Sequence, residues 1–378
     1  MTSVEYPTGE LSRPYEFLSP TSFEEMRTCR LRAAFKVLGK GGHSADGSAA
    51  LHLGNVCHRV MEVAVQDRTL LSDLWEDSFE SVWDAEIARE VAKMEARGGH
   101  HPVPAERWPD YEVKRARLRR VARRIRAILV DLPVESSVVP EAKLEAFEGR
   151  LRGVADLVIR PPGPHRMLDY KSGGVIDDAS QTPRERYVRQ LHLYSALEAA
   201  STGTWPERLH LFPLRGSPVE IDVDPDAATG LANEALSILA EFNSACPGPQ
   251  PAAPAPENCL DCPYSAQCPA FWLASESWGE GICAVKGEVT RTAASDFNGV
   301  SLEVLRESGP LVDKKTLLRN IDPVEHPAVL NVTVGTTVAV TGLLQEANRS
   351  SYRLPAWGRF HIEKPEESQS PMPRETGD

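Results

Sequence analysis

The sequence predicts an α/β fold: a mixed sheet flanked by helices, followed by a small β-barrel. Three observations carry this. Helical spacing of apolar residues dominates up to about residue 130, and the period then drops to two over 138–147, 150–159 and 166–170. After a Pro-rich stretch, CPGPQPAAPAPE at 246–257, short apolar strands return.

Ser19 to Leu38 reads as one helix behind a Ser/Thr cap, with Cys29 in its body. Gly39 to Ala50 is Gly- and Ser-rich and is expected to be a loop. A second helix over 53–66 places His58 and Glu62 four apart, on one face. Charged, Trp-containing helices continue to about residue 98, and another spans 111–130. In the latter, Leu118, Val121, Ile125 and Leu129 supply the apolar stripe.

The three period-two segments follow, with Pro161, Pro162, Gly163 and Pro164 reversing the chain between the last two. A helix at 184–201 sets Gln190 and Tyr194 on one face, then come a strand at 208–213 and a helix at 226–243. The segments AVKGEVTR, VSLEVL and TVAVTGLL anchor the terminal barrel over 283–360, and 361–378 is expected to be a disordered tail.

The bulk properties narrow the function. The 378 residues hold no apolar run long enough to span a bilayer, and Met1 to Ser22 lacks the pattern of a secretory signal, so a cytoplasmic protein without a membrane partner is expected. A net charge of −12 argues against a protein that coats nucleic acid over its whole surface. It leaves room for a local groove. Lys114, Arg115, Arg119 and Arg123 lead a dense basic run on the 111–130 helix, and they fit either phosphate contacts or ion pairs with acidic neighbours such as Glu86 and Glu90.

The hairpin defines the chemical candidate. If the chain reverses between Pro162 and Gly163, residues whose numbers add to 325 (162 with 163) face each other, which sets Asp156 opposite Asp169. Lys171, two residues on, shares that face. Two adjacent carboxylates call for a cation, and hard oxygen donors suit Mg²⁺ or Mn²⁺. With an ammonium beside them, the set matches phosphodiester hydrolysis. An edge-strand ion-pair ladder fits the same residues.

Cys259, Cys262 and Cys268 form C-x2-C-x5-C, three ligands for a site that takes four. On spacing alone, zinc and a [4Fe-4S] cluster both fit, and Cys29, Cys57, Cys246 and Cys283 are the candidates for the fourth ligand.

In order along the chain, GNVCHRVMEV, GVADLVI, LDYKSG and RQLHLYSAL closely resemble the successive motifs of the RecB-type branch of the PD-(D/E)xK nucleases, over roughly 18–275. The resemblance implies a restriction-endonuclease-like fold. It implies a metal site of His58, Asp156, Asp169 and the backbone carbonyl of Tyr170, with Lys171 as catalytic lysine and Gln190 and Tyr194 beside the scissile phosphate. Glu62 and Glu141 are looser matches, as supporting groups. Members of this branch linked to CRISPR systems and helicases carry a four-cysteine [4Fe-4S] cluster, which here implies Cys29, Cys259, Cys262 and Cys268, closing the nuclease domain.

The barrel looks like an OB-fold, whose relatives bind single strands through aromatics and a basic groove. Its aromatics are Phe297, Tyr352, Trp357 and Phe360, with Trp357 taken as a DNA contact. The expectation is a Mg²⁺- or Mn²⁺-dependent DNA exonuclease acting on single strands or ends in repair or recombination. The alternative is an inactive nucleic-acid-binding scaffold. No GxxxxGK[ST] occurs, so a helicase, like other repair or CRISPR proteins, would be a separate partner.

Overall fold

A computed structural model describes residues 12–39, 49–96, 104–108, 110–278, 283–294, 299–311, 313–323, 325–346 and 351–363. Of the loop expected over 39–50, residues 40–48 lie outside the described residues and Ala49 and Ala50 already open a helix; of the tail expected over 361–378, His361 and Ile362 belong to the last strand and 364–378 lie outside the described residues, as does Phe297. The chain divides into two compact units between Pro254 and Ala255.

The first unit contains α1 (Pro20–Thr28), α2 (Arg30–Val37), α3 (Ala49–Gln66), α4 (Trp75–Ala96), α5 (Tyr111–Val130), β1 (Ser137–Ala146), β2 (Leu151–Arg160), β3 (Arg166–Lys171), α6 (Glu185–Thr202), β4 (Arg208–Pro213), β5 (Val219–Ile221) and α7 (Pro225–Ser244). The strands form one sheet in the order β1-β2-β3-β4-β5. Only β3 and β4 run parallel, because α6 supplies the long crossover that a parallel pair needs.

Alternation along the strands feeds two cores. Leu157, Ile159, Leu168 and Tyr170 pack with Val60, Phe79, Trp83, Leu118 and Ile125 of α3, α4 and α5. Val158, Met167, Leu209 and Leu211 pack on the other face with α1, α6 and α7, through Phe23, Leu191 and Ala235. The helix expected over 19–38 is two helices. Ser19 caps the first, its Oγ accepting the Ser22 N–H at 3.1 Å, but Cys29 is extended (φ −160°, ψ 113°) and starts the second. Tertiary bonds explain the break: Leu31 N–H donates to Pro251 O at 3.0 Å, and Ala253 N–H to Cys29 Sγ at 3.5 Å. The Pro-rich stretch is therefore an anchored strap. Its Gln250 is buried, and Nε2 donates to Phe242 O at 3.1 Å and to Ser12 Oγ at 3.2 Å.

The second unit contains α8 (Pro256–Cys259), α9 (Pro269–Ser275), β6 (Ala284–Ala294), β7 (Val300–Ser308), β8 (Lys315–Ile321), β9 (Thr337–Thr341), β10 (Leu344–Gln345), β11 (Ser351–Arg353) and β12 (Arg359–Ile362). Its sheet runs β10-β11-β8-β7-β6-β9-β12, with β8 and β11 parallel. Only Gly342 and Leu343 separate β9 from β10, which stand far apart in that order, so the sheet curls round. Gly342 has φ +73°, and a Cβ there would lie 2.6 Å from the Trp357 ring; glycine permits both the bend and the contact. Tyr352 and Phe360 are core residues, leaving Trp357 as the exposed one of these three aromatics.

Candidate active site

The β2–β3 ladder pairs Leu157 with Leu168, Val158 with Met167 and Ile159 with Arg166, the register set by a reversal between residues 162 and 163. Asp156 and Asp169 are the next positions beyond its last pair. Asp156 Oδ2 accepts the Tyr170 amide N–H at 2.5 Å, and its Oδ1 lies 3.4 Å from His58 Nδ1 on α3. Asp169 Oδ2 lies 2.5 Å from Lys171 Nζ, which also donates to Gln190 Oε1 at 2.9 Å. Gln190 Nε2 in turn donates to Tyr194 Oη at 3.4 Å. One turn ahead of Gln190 on α6, the Tyr187 ring centroid is 5.1 Å from Lys171 Nζ. Thus α3, the hairpin and α6 bring together His58, Asp156, Asp169, Tyr170, Lys171, Gln190 and Tyr194.

Local sequence makes room for this arrangement. A Cβ on Gly153 would stand 2.7 Å from Cε1 of Tyr194 and 3.2 Å from Pro20 Cδ, so the absence of a side chain seats the tyrosine ring on β2. Glu141 faces the same region from β1. The β1–β2 pairing runs Pro140–Leu157 and Ala142–Ala155 but omits Glu141 and Asp156 between them, and Glu141 holds φ +46°. A non-glycine residue in that region costs backbone energy and is held by its surroundings.

The electrostatics report crowded carboxylates. Burial, then the charges of Asp156 and Glu62, push Glu141 up to about 7. Burial raises Asp169 as well; Lys171 opposes it and Asp156 adds to it. Burial lowers His58, but its hydrogen bond to Asp156 and the charges of Asp156 and Asp169 outweigh that and leave it raised. As the side chains lie, among the described residues no group of three or more His, Cys, Asp or Glu is set to hold a metal ion. Their oxygens face internal donors: Asp156 faces Tyr170 N–H and His58, and Asp169 faces Lys171.

The basic helix is engaged elsewhere. Arg115 Nε donates to Glu80 at 2.5 Å, Arg119 pairs with Glu80 at 3.2 Å, and Arg123 with Glu76 at 2.8 Å. The acidic partners are thus Glu76 and Glu80 of α4; Glu86 pairs with Arg59 and Arg89, and Glu90 with His52 and Lys93. Lys114 lies on the same helix and is half-buried. None of the seven cysteines is in a disulfide. Cys57 is buried, which pushes its thiol up to about 12 and makes it inert. Cys29 belongs to the first unit, and Cys259, Cys262, Cys268 and Trp357 belong to the second. Backbone bonds from Cys262 N–H to Cys259 O and from Cys268 N–H to Ser265 O fold the three-cysteine segment into tight turns.

The hairpin groups follow from the sequence pattern, whereas the conformation of Glu141 and the place of Tyr187 emerge only in the structure. The second had a signal: 187, 190 and 194 recur at helical spacing toward Lys171.

The profile of the PD-(D/E)XK nuclease superfamily matches residues 17–269, and the chain belongs to that superfamily. Among solved structures it is similar to an exonuclease candidate from Eubacterium rectale, at 9% identity over 63% of this chain and 85% of that one, with a TM-score of 0.37. It is also similar to an alkaline exonuclease from Laribacter hongkongensis, at 12% identity over 49% and 87%, with a TM-score of 0.23. No curated protein matches the chain.

Proposed function

We propose that the chain is a RecB-type, divalent-metal-dependent DNA nuclease, an exonuclease acting on single-stranded DNA or DNA ends in repair or recombination. The observation that carries this is the meeting of Asp156 and Asp169 with the Lys171–Gln190–Tyr194 chain of hydrogen bonds at the mouth of one hairpin. The donor chemistry fits Mg²⁺ or Mn²⁺: Asp156 and Asp169 sit near one another, the charge of Asp156 adding to the upward push that burial gives Asp169, and such hard oxygen donors suit these ions. His58, Asp156, Asp169 and the Tyr170 carbonyl would hold the ion, which when bound polarises the phosphodiester and acidifies water. Lys171, steadied by Asp169 and Gln190, offers its ammonium to charge growing on the phosphorus oxygens. Tyr194 and Gln190 line the same side and orient the phosphate.

A further part of this reading is a [4Fe-4S] cluster on Cys29, Cys259, Cys262 and Cys268: the C-x2-C-x5-C spacing of the last three suits a four-thiolate site, and the resemblance to cluster-bearing nucleases supports both the choice of cluster and Cys29 as the fourth ligand. An OB-like reading of the second unit is supported by the parallel β8–β11 pair and by the return of β9 through Gly342 into β10. Trp357, 47% exposed, is its candidate for base stacking. Arg115, Arg119 and Arg123 reach phosphates by exchanging their present partners, and Lys114 lies beside them on the same helix. No helix among the described residues is long and apolar enough to cross a membrane, and the proposed location is the cytoplasm, beside a separate helicase or repair or CRISPR proteins.

One observation favours a second reading, an inactive DNA-binding scaffold: among the described residues no group of three or more His, Cys, Asp or Glu is preset to hold a metal ion. Anaerobic purification followed by Mg²⁺- and Mn²⁺-dependent digestion of 5′- and 3′-labelled single- and double-stranded DNA decides between them. The nuclease reading requires cleavage that Asp156→Ala and Lys171→Ala abolish; saturable binding without cleavage establishes the scaffold. A brown protein with about four irons per chain is expected, and a colourless protein with one zinc would contradict the cluster.

A further inference from the structure

We infer that Tyr187 is a positioning residue for Lys171, its ring face holding the ammonium in line with Asp169 and Gln190. This rests on the nuclease reading above. Lys171 Nζ has three N–H donors on a flexible four-carbon stem. Asp169 Oδ2 and Gln190 Oε1 face two of them, at 2.5 and 2.9 Å, and the Tyr187 ring stands 5.1 Å away as the third neighbour. An aromatic face attracts a cation at this distance, and the attraction grows as water is removed; the Lys171 side chain is 15% exposed.

The ring is itself held. Tyr187 packs, partly buried, against the α6–α7 core cluster, and its hydroxyl accepts from Arg186 Nη2 at 2.9 Å. The Arg186 guanidinium lies 4.7 Å from the same ring centroid. Tyr187, Gln190 and Tyr194 thus form one helical stripe, of which Tyr187 and Gln190 meet the lysine and Tyr194 meets Gln190. Without the ring, the ammonium keeps both polar partners but gains freedom to swing away from the phosphate side. The cost therefore falls on turnover rather than on binding of DNA.

The test compares full-length Tyr187→Leu and Tyr187→Phe with the parent chain, using a labelled single-stranded oligonucleotide and saturating Mg²⁺ or Mn²⁺. Tyr187→Leu should lose about five- to thirtyfold in kcat, with KM within about twofold, the range a desolvated cation–π contact supports. Tyr187→Phe, which restores the ring without the hydroxyl, should recover most of that loss. Equal rates in all three chains, a change in KM alone, or a Phe variant as slow as Leu overturns the inference. A parent chain that cleaves nothing overturns the nuclease reading instead. NMR of the Lys171 ε-methylene reads the contact independently of cleavage: an upfield ring-current shift is expected in the parent and Phe chains and not in Leu, and its absence from the parent overturns the inference.

Discussion

Lys171 Nζ lies 2.5 Å from Asp169 Oδ2, and both groups are largely withdrawn from solvent, with 15% and 4% of their side chains exposed. Breaking a buried pair by removing one partner leaves a charge without compensation, which costs about 3–5 kcal/mol. Lys171→Ala should therefore abolish cleavage and also lower stability in urea melts. Asp169→Asn combined with Lys171→Met should regain much of the stability and none of the activity. If Lys171→Ala melts like the parent chain, the pair is not coupled as described.

Gly153 and Tyr194 supply a second prediction. The Cβ of an alanine at 153 would sit 2.7 Å from Cε1 of Tyr194, closer than side chains approach. The ring must move, and the Gln190–Tyr194 contact at 3.4 Å moves with it. Gly153→Ala should cost about 1–3 kcal/mol through overpacking. Its cleavage rate should fall more than that of Tyr194→Phe, which loses only the hydroxyl; paired kinetics of the two variants make the comparison.

Much of this was legible in the sequence because short-range rules govern it. Three prolines and a glycine fixed where the hairpin reverses, and pairing of residues whose numbers add to 325 then set Leu157 against Leu168 and brought Asp156 and Asp169 to one site. The apolar stripe of α5 was equally plain, since Leu118, Val121, Ile125 and Leu129 are all buried. The features that escaped depend on distant partners. Helix 19–38 breaks at Cys29 because residues 251 and 253 bond to it. Glu141 adopts its left-handed backbone within a strand whose local sequence asks for ordinary extension. For the basic run on α5 the sequence left phosphate contacts and ion pairs equally open and named Glu86 and Glu90, because its actual partners, Glu76 and Glu80, are some 35 to 47 residues earlier in the chain.

Those partners make the third prediction. Arg119 and Arg123 are 43% and 64% exposed yet tied to Glu80 and Glu76. Such pairs contribute about 0.2–1 kcal/mol each, so Glu76→Gln and Glu80→Gln should destabilise only slightly. Freed arginines should then bind DNA more tightly and steepen the salt dependence by about one unit of slope for each new phosphate contact. Fluorescence anisotropy across a salt series measures both. An unchanged slope would place this helix outside the DNA path.

The last prediction concerns Glu141, whose acid rises from 4.5 to about 7 through burial and the charges of Asp156 and Glu62. A carboxyl with a raised folded-state pKa binds more protons in the native state than when unfolded between those two values. Its contribution to stability is therefore fully present below 4.5 and is lost as the pH rises through about 7. Metal-free protein should lose thermal stability from about pH 5 to about pH 8, and Glu141→Gln should remove that part of the decline, raising Tm at the upper end by about 2–4 °C. Because Glu141 is only half-buried, solvent screening holds the effect to that scale. Mg²⁺ should stabilise the parent chain at pH 8 more than the variant, since a cation among these carboxylates relieves the same repulsion. Melting curves for both chains across pH, with and without Mg²⁺, give the comparison. Parallel curves for parent and variant would show that Glu141 does not share the charge of this site.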